Sequence, residues 1–385
     1  MKKVICKTLV AMVLGLTVAP TVAANDIYVP FGEKNFSEIE NGEKIQFDDL
    51  NLKEALLEYY KFHINKNFTG KEITVNMMKQ FTSLSLPWKN IFSLKGLEHA
   101  TNVKNLNLSN NFIEDLTPLE KLENIEDLDL TNNKIKNPES LGNLKKLRQL
   151  VLRKNLMNNL DFLNNLNVES LDISMNSVLK DYIPNNLKLD NITFLQNAKK
   201  LESLVAEENA IKDLKPLKNL KTLRTLYLDK NDIRDIGPLK DLDNLEELLL
   251  YKNNIEDIIP LDGKRYLYRL MLNDNIALKD INVLRTVQHL SSLDISNTAV
   301  SDISPLNDLK YIYYVAVKNT KISDSDLSKF EKTNMDVKKE NGIDKKLEII
   351  TTEASKYFSL KNYIFMLLIL IFTVTGIRSY WKKNK

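Results

Sequence analysis

The chain has 385 residues, of which 43% are hydrophobic and 27% charged, so it has the composition of a globular protein with a sizeable core. Glycine and proline are scarce, with 10 of each, which excludes collagen-like and loop-dominated chains. The formal net charge is only +3, and the termini hold an excess of basic residues, so the slightly acidic remainder disfavours nucleic acid as a partner.

Residues 1–24 have the pattern of a secretory signal: basic residues first, then an apolar stretch, then small residues. The pattern predicts cleavage after Ala23 or Ala24; an uncleaved N-terminal anchor is the alternative, although the apolar run is shorter than the ~20 residues of a span. Cys6 is the only cysteine and lies in this segment, so the mature chain has no thiol for a disulfide or a metal. An N-terminal extension is predicted over residues 25–46.

A helical cap is predicted over residues 47–80. Asp48 or Asp49 can begin a helix, because its carboxylate can accept a hydrogen bond from a free N–H group of the first turn. The apolar residues that follow share one helical face, which can cover the end of a larger core: Leu52, Ala55, Leu56 and Tyr59.

An internal repeat extends from residue 81 to residue 330 and predicts the architecture. Each unit has the pattern L-x-x-L-x-L-x-x-N, and most units are 22 residues long. We count eleven units, since Lys89 at one end and Thr298 and Thr320 at the other occupy the asparagine position. The asparagines themselves are Asn111, Asn133, Asn155, Asn176, Asn209, Asn231, Asn253 and Asn275.

The repeat predicts an α/β solenoid in the shape of a horseshoe. Around Leu106 and Leu108 the apolar residues alternate, as in a short strand with both leucines on one face. One such strand cannot bury its apolar face alone, whereas stacked units form a parallel sheet on the concave side and a shared core. Proline recurs in the second half of the units, which predicts 3₁₀ or irregular returns on the convex side.

We interpret the asparagine column as structural. A buried amide can bind backbone groups where the chain leaves the strand, and its loss would leave a buried polar group unpaired at a cost of about 1–3 kcal/mol. One irregularity interrupts the column between Asn176 and Asn209, which are 33 residues apart. We predict an insertion over residues 177–193 on the return side, which is either a functional loop or a tolerated insertion.

The end of the chain predicts a membrane anchor. A charged linker is expected over residues 331–360, followed by a transmembrane helix over residues 361–381 that is roughly 30 Å long. The basic tail, residues 382–385, predicts a cytoplasmic C-terminus by the positive-inside rule. A buried terminal helix is the alternative.

The sequence contains no pattern for catalysis or for a cofactor. His63, His99 and His289 lie in separate parts of the chain, and it contains no nucleophile elbow, glycine-rich phosphate loop or zinc-binding motif. We therefore expect no enzymatic activity, no cofactor and no metal site, and we keep an enzyme of unrecognised type as a distant alternative.

A partner-binding face is predicted on the concave side. The residue between the two leucines of each strand points outward, and in four consecutive units it is apolar: Val205, Tyr227, Leu249 and Met271. Adjacent strands are ~4.8 Å apart, so these residues are expected to form an exposed stripe roughly 15 Å long, which Tyr251 and Tyr268 extend. Charged residues can surround the stripe: Arg224, Asp229, Glu246, Glu247 and Arg269. An exposed apolar patch of this kind marks a partner site, and the alternatives are cover by the protein's own linker, self-association, or no role.

The repeat resembles the leucine-rich repeat domain of the internalin family of bacterial surface proteins. The resemblance rests on the 22-residue pattern, on the D-[LI]-x-P-L returns such as Asp235 to Leu239, and on the helical segment before the first unit. It implies a concave face that binds a protein, with a host receptor as the partner and adhesion as the role. It also implies a cell surface of the Gram-positive type, with the repeats outside the cytoplasm.

Two features depart from that family. No sortase motif of the LPxTG kind precedes the terminal apolar run, because the last proline is Pro305. There is also no room for an immunoglobulin-like domain between the repeats and the predicted anchor. The protein is therefore expected to stay in the membrane, and the alternative to host binding is an envelope scaffold or recognition subunit that acts near the membrane.

Overall fold

The computed structural model describes residues 36–157, 159–176, 189–343 and 346–352. The predicted signal, most of the predicted insertion, the predicted membrane helix and the basic tail lie outside these ranges. Within them, no helix is both long enough and apolar enough to cross a membrane.

The described residues contain twelve parallel strands, which form one sheet whose order follows the chain from β1 to β12. The central apolar residues of neighbouring strands are in register, as at Leu84 beside Leu106, so each core column continues from unit to unit. The strands are β1 Ser83–Ser85, β2 Asn105–Asn107, β3 Asp127–Asp129, β4 Gln149–Val151, β5 Ser170–Asp172, β6 Ser203–Val205, β7 Thr225–Tyr227, β8 Glu247–Leu249, β9 Arg269–Met271, β10 Ser292–Asp294, β11 Tyr314–Ala316 and β12 Glu348–Ile350.

The α-helices of the described chain are α1 Phe36–Glu40, α2 Leu50–His63, α3 Val75–Met78 and α4 Asp324–Glu340. Asp49 begins α2, since its carboxylate accepts a hydrogen bond from the Asn51 N–H at 2.8 Å. The other carboxylate oxygen accepts from the Phe92 N–H at 2.7 Å, which joins the cap to the first unit. Leu52 and Leu56 are fully buried, so α2 closes the N-terminal end of the core.

Most returns contain a short 3₁₀ helix, and the D-[LI]-x-P-L motif explains its form. The carboxylate of Asp235 accepts a hydrogen bond from the Gly237 N–H at 2.7 Å, which fixes the turn that opens the helix. Pro238 follows in the first turn, where an absent N–H leaves no hydrogen bond broken. Ile236 and Leu239 are buried, so the return contributes its apolar residues to the core.

The asparagine column binds the backbone where each strand ends. The Asn231 amide nitrogen donates to the carbonyl oxygens of Ala206 at 2.9 Å and Leu228 at 3.0 Å, and its oxygen accepts from the Ile211 N–H at 3.0 Å. All eight asparagines of the column are buried. At Thr298 a hydroxyl replaces the amide and donates to the carbonyl of its own strand at 2.6 Å.

The cap begins earlier than residue 47, where the sequence placed its start. Helix α1 precedes that position, and Ile45 is buried in the common core. Lys44 also forms an antiparallel bridge with Thr74. The predicted extension over residues 25–46 therefore supplies part of the cap, which the repeat pattern could not indicate because the cap has no repeat.

The prediction of a linker over residues 331–360 is wrong for much of that range, because α4 and β12 occupy it. Phe330 of α4 is buried in the core, so the helix covers the C-terminal end of the solenoid. The Val317 N–H donates to the Ile350 carbonyl at 2.9 Å, and β12 pairs in register with β11. A twelfth strand thus extends the sheet beyond the eleven units counted in the sequence.

Candidate partner-binding face

The outward side chains of the sheet form three rows along the concave face. The entrance row holds the first residue of each strand, the middle row holds the third, and the exit row holds the residue two positions later. The predicted stripe belongs mainly to the middle row, with Tyr251 in the exit row and Tyr268 immediately before the entrance row.

Four units bind their own backbone with short polar side chains, and we call them the self-bonded units. In each of them a middle-row Asp or Asn accepts a hydrogen bond from the N–H of an exit-row Ser or Thr, at 2.8–2.9 Å. These pairs are Asn107 with Ser109, Asp129 with Thr131, Asp172 with Ser174, and Asp294 with Ser296. The polar middle residues of these units therefore stabilise the turn that follows the strand.

The units of β6 to β9, here called the β6–β9 block, lack this arrangement and carry larger side chains. Their exit row is Glu207, Asp229, Tyr251 and Asn273. The neighbouring unit supplies two of the missing backbone contacts: Asp229 accepts from the Tyr251 N–H at 2.7 Å, and the Ser174 hydroxyl oxygen accepts from the Glu207 N–H at 3.1 Å. Side chains in this block therefore link adjacent units.

The structure places the predicted stripe side by side in the middle row but does not leave all of it exposed. Register pairs Val205 with Tyr227, Tyr227 with Leu249, and Leu249 with Met271. Tyr227 is only 5% exposed and Leu249 only 4%, so the expectation that both are accessible is wrong. Val205, Tyr251 and Met271 are half-buried, and Tyr268 is 39% exposed.

A polar cluster accounts for the burial of Tyr227. Its hydroxyl donates to one carboxylate oxygen of Glu247 at 2.9 Å, and the Tyr268 hydroxyl donates to the other. The Arg269 guanidinium lies 3.7 Å from the same carboxylate. Burial, together with the negative charge of Glu247, raises the pKa of both tyrosines, so their hydroxyls stay protonated and act as donors. Long side chains of adjacent strands thus cover the middle row.

A second group of charges lies on the β5–β7 side of the block. The Arg153 guanidinium is 3.6 Å from the Glu207 carboxylate, and both side chains are largely buried. Burial raises the pKa of Asp172, Glu207 and Asp229, and Arg153 opposes the increase at the first two. Asp229 was among the charged residues predicted around the stripe, whereas Arg153 and Glu207 were not, although both occupy exit-row positions that the strand alternation identifies.

The described residues contain no group of three or more His, Cys, Asp or Glu side chains placed to hold a metal ion. His289 stacks on Tyr311, with ring centroids 5.6 Å apart, near the entrance of the last strands. Its Nδ1 lies 2.5 Å from the Arg265 carbonyl oxygen, so this nitrogen carries the proton in that contact.

A family model described as leucine-rich repeats (2 copies) matches residues 101–146 and 221–263. No curated protein is significantly similar to the chain in sequence. The structure of an internalin (InlF) from Listeria monocytogenes is similar, with a TM-score of 0.63 and 27% identity over 82% of this chain and 93% of that one. The chain is an internalin-like leucine-rich repeat protein.

The functional domain of InlJ from Listeria monocytogenes has the same fold, with a TM-score of 0.56 and 20% identity over 74% of this chain and 59% of that one. That domain includes a cysteine ladder. In the internalin-like protein described here, the stacked polar column is asparagine, and the described ranges contain no cysteine.

Proposed function

We propose that this internalin-like protein binds a protein partner through the β6–β9 block of its concave face, and that it does so outside the cytoplasm as a membrane-anchored protein. The observation that carries the proposal is the cluster around Glu247, which holds Tyr268 at the surface of the block that also contains the half-buried Tyr251 and Met271. Tyrosines that are fixed before binding lose little conformational entropy on contact and are frequent in binding hot spots.

The extracytoplasmic location is supported by two patterns in the sequence, the signal at residues 1–24 and the apolar run followed by lysines at residues 361–385. Protease treatment of intact cells tests it directly. We expect the repeats to be digested from outside, with only the predicted membrane helix and tail protected. Full protection, both in intact cells and after removal of the cell wall, would contradict the location.

A specific observation supports an envelope partner as the second candidate. Strand β12 ends at Ile350, so only about ten residues separate the sheet from the predicted membrane helix, and they can reach at most ~35 Å. A short tether would hold the repeats near the membrane, where envelope components are accessible. A host receptor, which the internalin-like fold suggests, would have to approach that closely.

Site-specific photo-crosslinking in intact cells tests the binding face. A photoreactive amino acid replaces Met271 in the full chain, and crosslinked products are compared with and without the double substitution Tyr251→Ala and Tyr268→Ala. We expect the double substitution to remove a discrete crosslinked product. The matched control is Tyr266→Ala, since Tyr266 is 53% exposed but lies outside the three concave rows. A product that survives the double substitution would overturn the proposed face.

A further inference from the structure

From β2 to β5, the residues immediately before the strands alternate in charge and form ion pairs between adjacent units. Lys104 binds Glu126 at 2.9 Å, and Arg148 lies 3.3 Å from Glu169. The residue at this position in the next unit is Glu202, whose N–H donates to the Glu169 carbonyl at 2.8 Å. Two acidic residues therefore occupy adjacent positions before β5 and β6, where the alternation of charge is interrupted.

Acidic side chains are also neighbours in the middle and exit rows of the concave face, from β5 to β7. Asp172, Glu207 and Asp229 lie in the middle and exit rows of β5 to β7, and Arg153 forms its ion pair with Glu207. The next two cations have partners of their own: Arg269 lies beside Glu247, and Lys230 binds Glu208 at 2.7 Å. Among the described residues, Asp172, Glu207 and Asp229 therefore outnumber the cations beside them.

The acidic region adjoins the apolar part of the β6–β9 block. Val205 is paired in register with Asp172 on one side and with Tyr227 on the other. Asp229 accepts the backbone N–H of Tyr251, whose ring is half-buried in the adjacent unit. A binding segment that contacts Val205 and Tyr251 would therefore bring its next side chains within reach of the carboxylates.

We propose that the partner of the concave face is a protein segment that carries arginine or lysine between apolar side chains. Its cationic group lies against Asp172, Glu207 and Asp229, and its apolar groups pack on Val205 and Tyr251. The assignment rests on the proposed function and adds the chemistry of the partner to it. Charge complementarity supports it, because an incoming cation would offset carboxylates that the fold has already removed from water.

The test uses the full chain in detergent micelles and a short acetylated, amidated peptide in which arginine and tryptophan alternate. A glutamate–tryptophan peptide of equal length and the polyamine spermine serve as comparison ligands. We expect the basic peptide to bind, the acidic peptide not to bind, and spermine to bind more weakly, since it lacks apolar groups. Binding is measured by isothermal titration calorimetry at neutral pH and again at mildly acidic pH.

Two conservative substitutions, Asp172→Asn and Asp229→Asn, remove the charge and retain the side-chain shape. The Asn107–Ser109 contact at 2.9 Å shows that an asparagine can make the backbone hydrogen bond of a middle-row residue. We expect the pair to weaken peptide binding at least about tenfold. The matched control is Glu114→Gln with Asp115→Asn, which removes the same charge on the return side. Lowering the pH should also weaken binding, because the concave carboxylates then take up protons.

Several results would overturn the assignment: no binding of the basic peptide, equal binding of the acidic peptide, spermine binding as tight as peptide binding, or equal losses in the concave and return-side variants. The photo-crosslinking experiment separates this failure from failure of the proposed function. If Tyr251→Ala with Tyr268→Ala removes the crosslink but the two asparagine variants do not, the concave face stands and the basic partner does not. If neither removes it, the face itself is wrong.

Discussion

The self-bonded units and the β6–β9 block share one backbone and one core, yet they use the concave face differently. In the self-bonded units, a short side chain such as Asp129 binds the N–H of Thr131, and the surface between strands consists of small polar groups. In the block, Glu247 binds two tyrosines from two neighbouring units. The outward rows can therefore change completely while the buried leucines and asparagines do not.

The largest loss of stability is expected from substitutions in the asparagine column, which both regions share. Asn231→Ala in the block and Asn133→Ala outside it should each lower the free energy of unfolding by about 3 kcal/mol, since each leaves several buried backbone groups without their partner. Urea unfolding of the full chain measures both. Asn231→Thr should lose less, because Thr298 retains one such bond with its hydroxyl. Unequal losses at the two alanine variants would show that the shared framework is not equivalent in the two regions.

The next largest loss of stability should differ between the two regions. Glu247→Ala should lower the free energy of unfolding by about 2–3 kcal/mol, because it removes the carboxylate that accepts from the buried Tyr227 hydroxyl and lies beside Arg269. Asp294 is equally buried, with 8% exposure for each residue, and belongs to a self-bonded unit. Its loss removes one backbone hydrogen bond, so Asp294→Ala should cost about 1 kcal/mol or less. Chemical denaturation of the Glu247→Ala and Asp294→Ala variants measures both losses. A larger loss for Glu247→Ala would show that the block is the more tightly coupled region.

A smaller effect of opposite sign is expected just before β9. Lys264 is 1% exposed at a core position where the neighbouring units have Leu242 and Val287. Its ammonium donates to the Lys240 carbonyl, and burial lowers its pKa. Lys264→Met should therefore stabilise the protein by about 1 kcal/mol.

The advantage of Lys264→Met should shrink at alkaline pH. The native pKa of Lys264 lies below the unfolded value, so the wild-type protein gains stability as the pH rises between the two. Thermal unfolding at neutral and alkaline pH measures the difference. A variant that is less stable than wild type at both pH values would show that the hydrogen bond to Lys240 and the ion pair with Asp243 at 3.6 Å outweigh the cost of burying the charge.

The smallest expected effect is a shift of stability with pH that originates in the acidic part of the concave face. Burial raises the native pKa of Asp172, Glu207 and Asp229, so the native state binds more protons than the unfolded chain between the ordinary carboxyl pKa and these raised values. Stability should therefore increase as the pH falls from neutral into this window. Asp172→Asn with Asp229→Asn should flatten the change in melting temperature. If the melting temperature of the double variant changes with pH as much as that of the wild type, other groups cause the change.

The sequence alone predicted the period, the strands, the returns and the structural asparagines. These features are local: a strand alternates with a period of two, the D-[LI]-x-P-L turn closes within three residues, and each ladder amide lies three residues after a carbonyl that it binds. Repetition then extends the local solution along the chain. The resemblance to internalins, which rested on these features, is supported by the similar structure of InlF.

Which outward residues are accessible depends on contacts between units, which the sequence pattern does not contain. Tyr227 and Leu249 have the correct parity for exposure, yet both are buried, and Tyr227 contacts Glu247 of the next unit, which a single strand pattern does not reveal. The same reason applies to the C-terminal end. Strand β12 has no repeat signature and exists because the edge of β11 offers backbone groups for pairing, with α4 closing the core beside it.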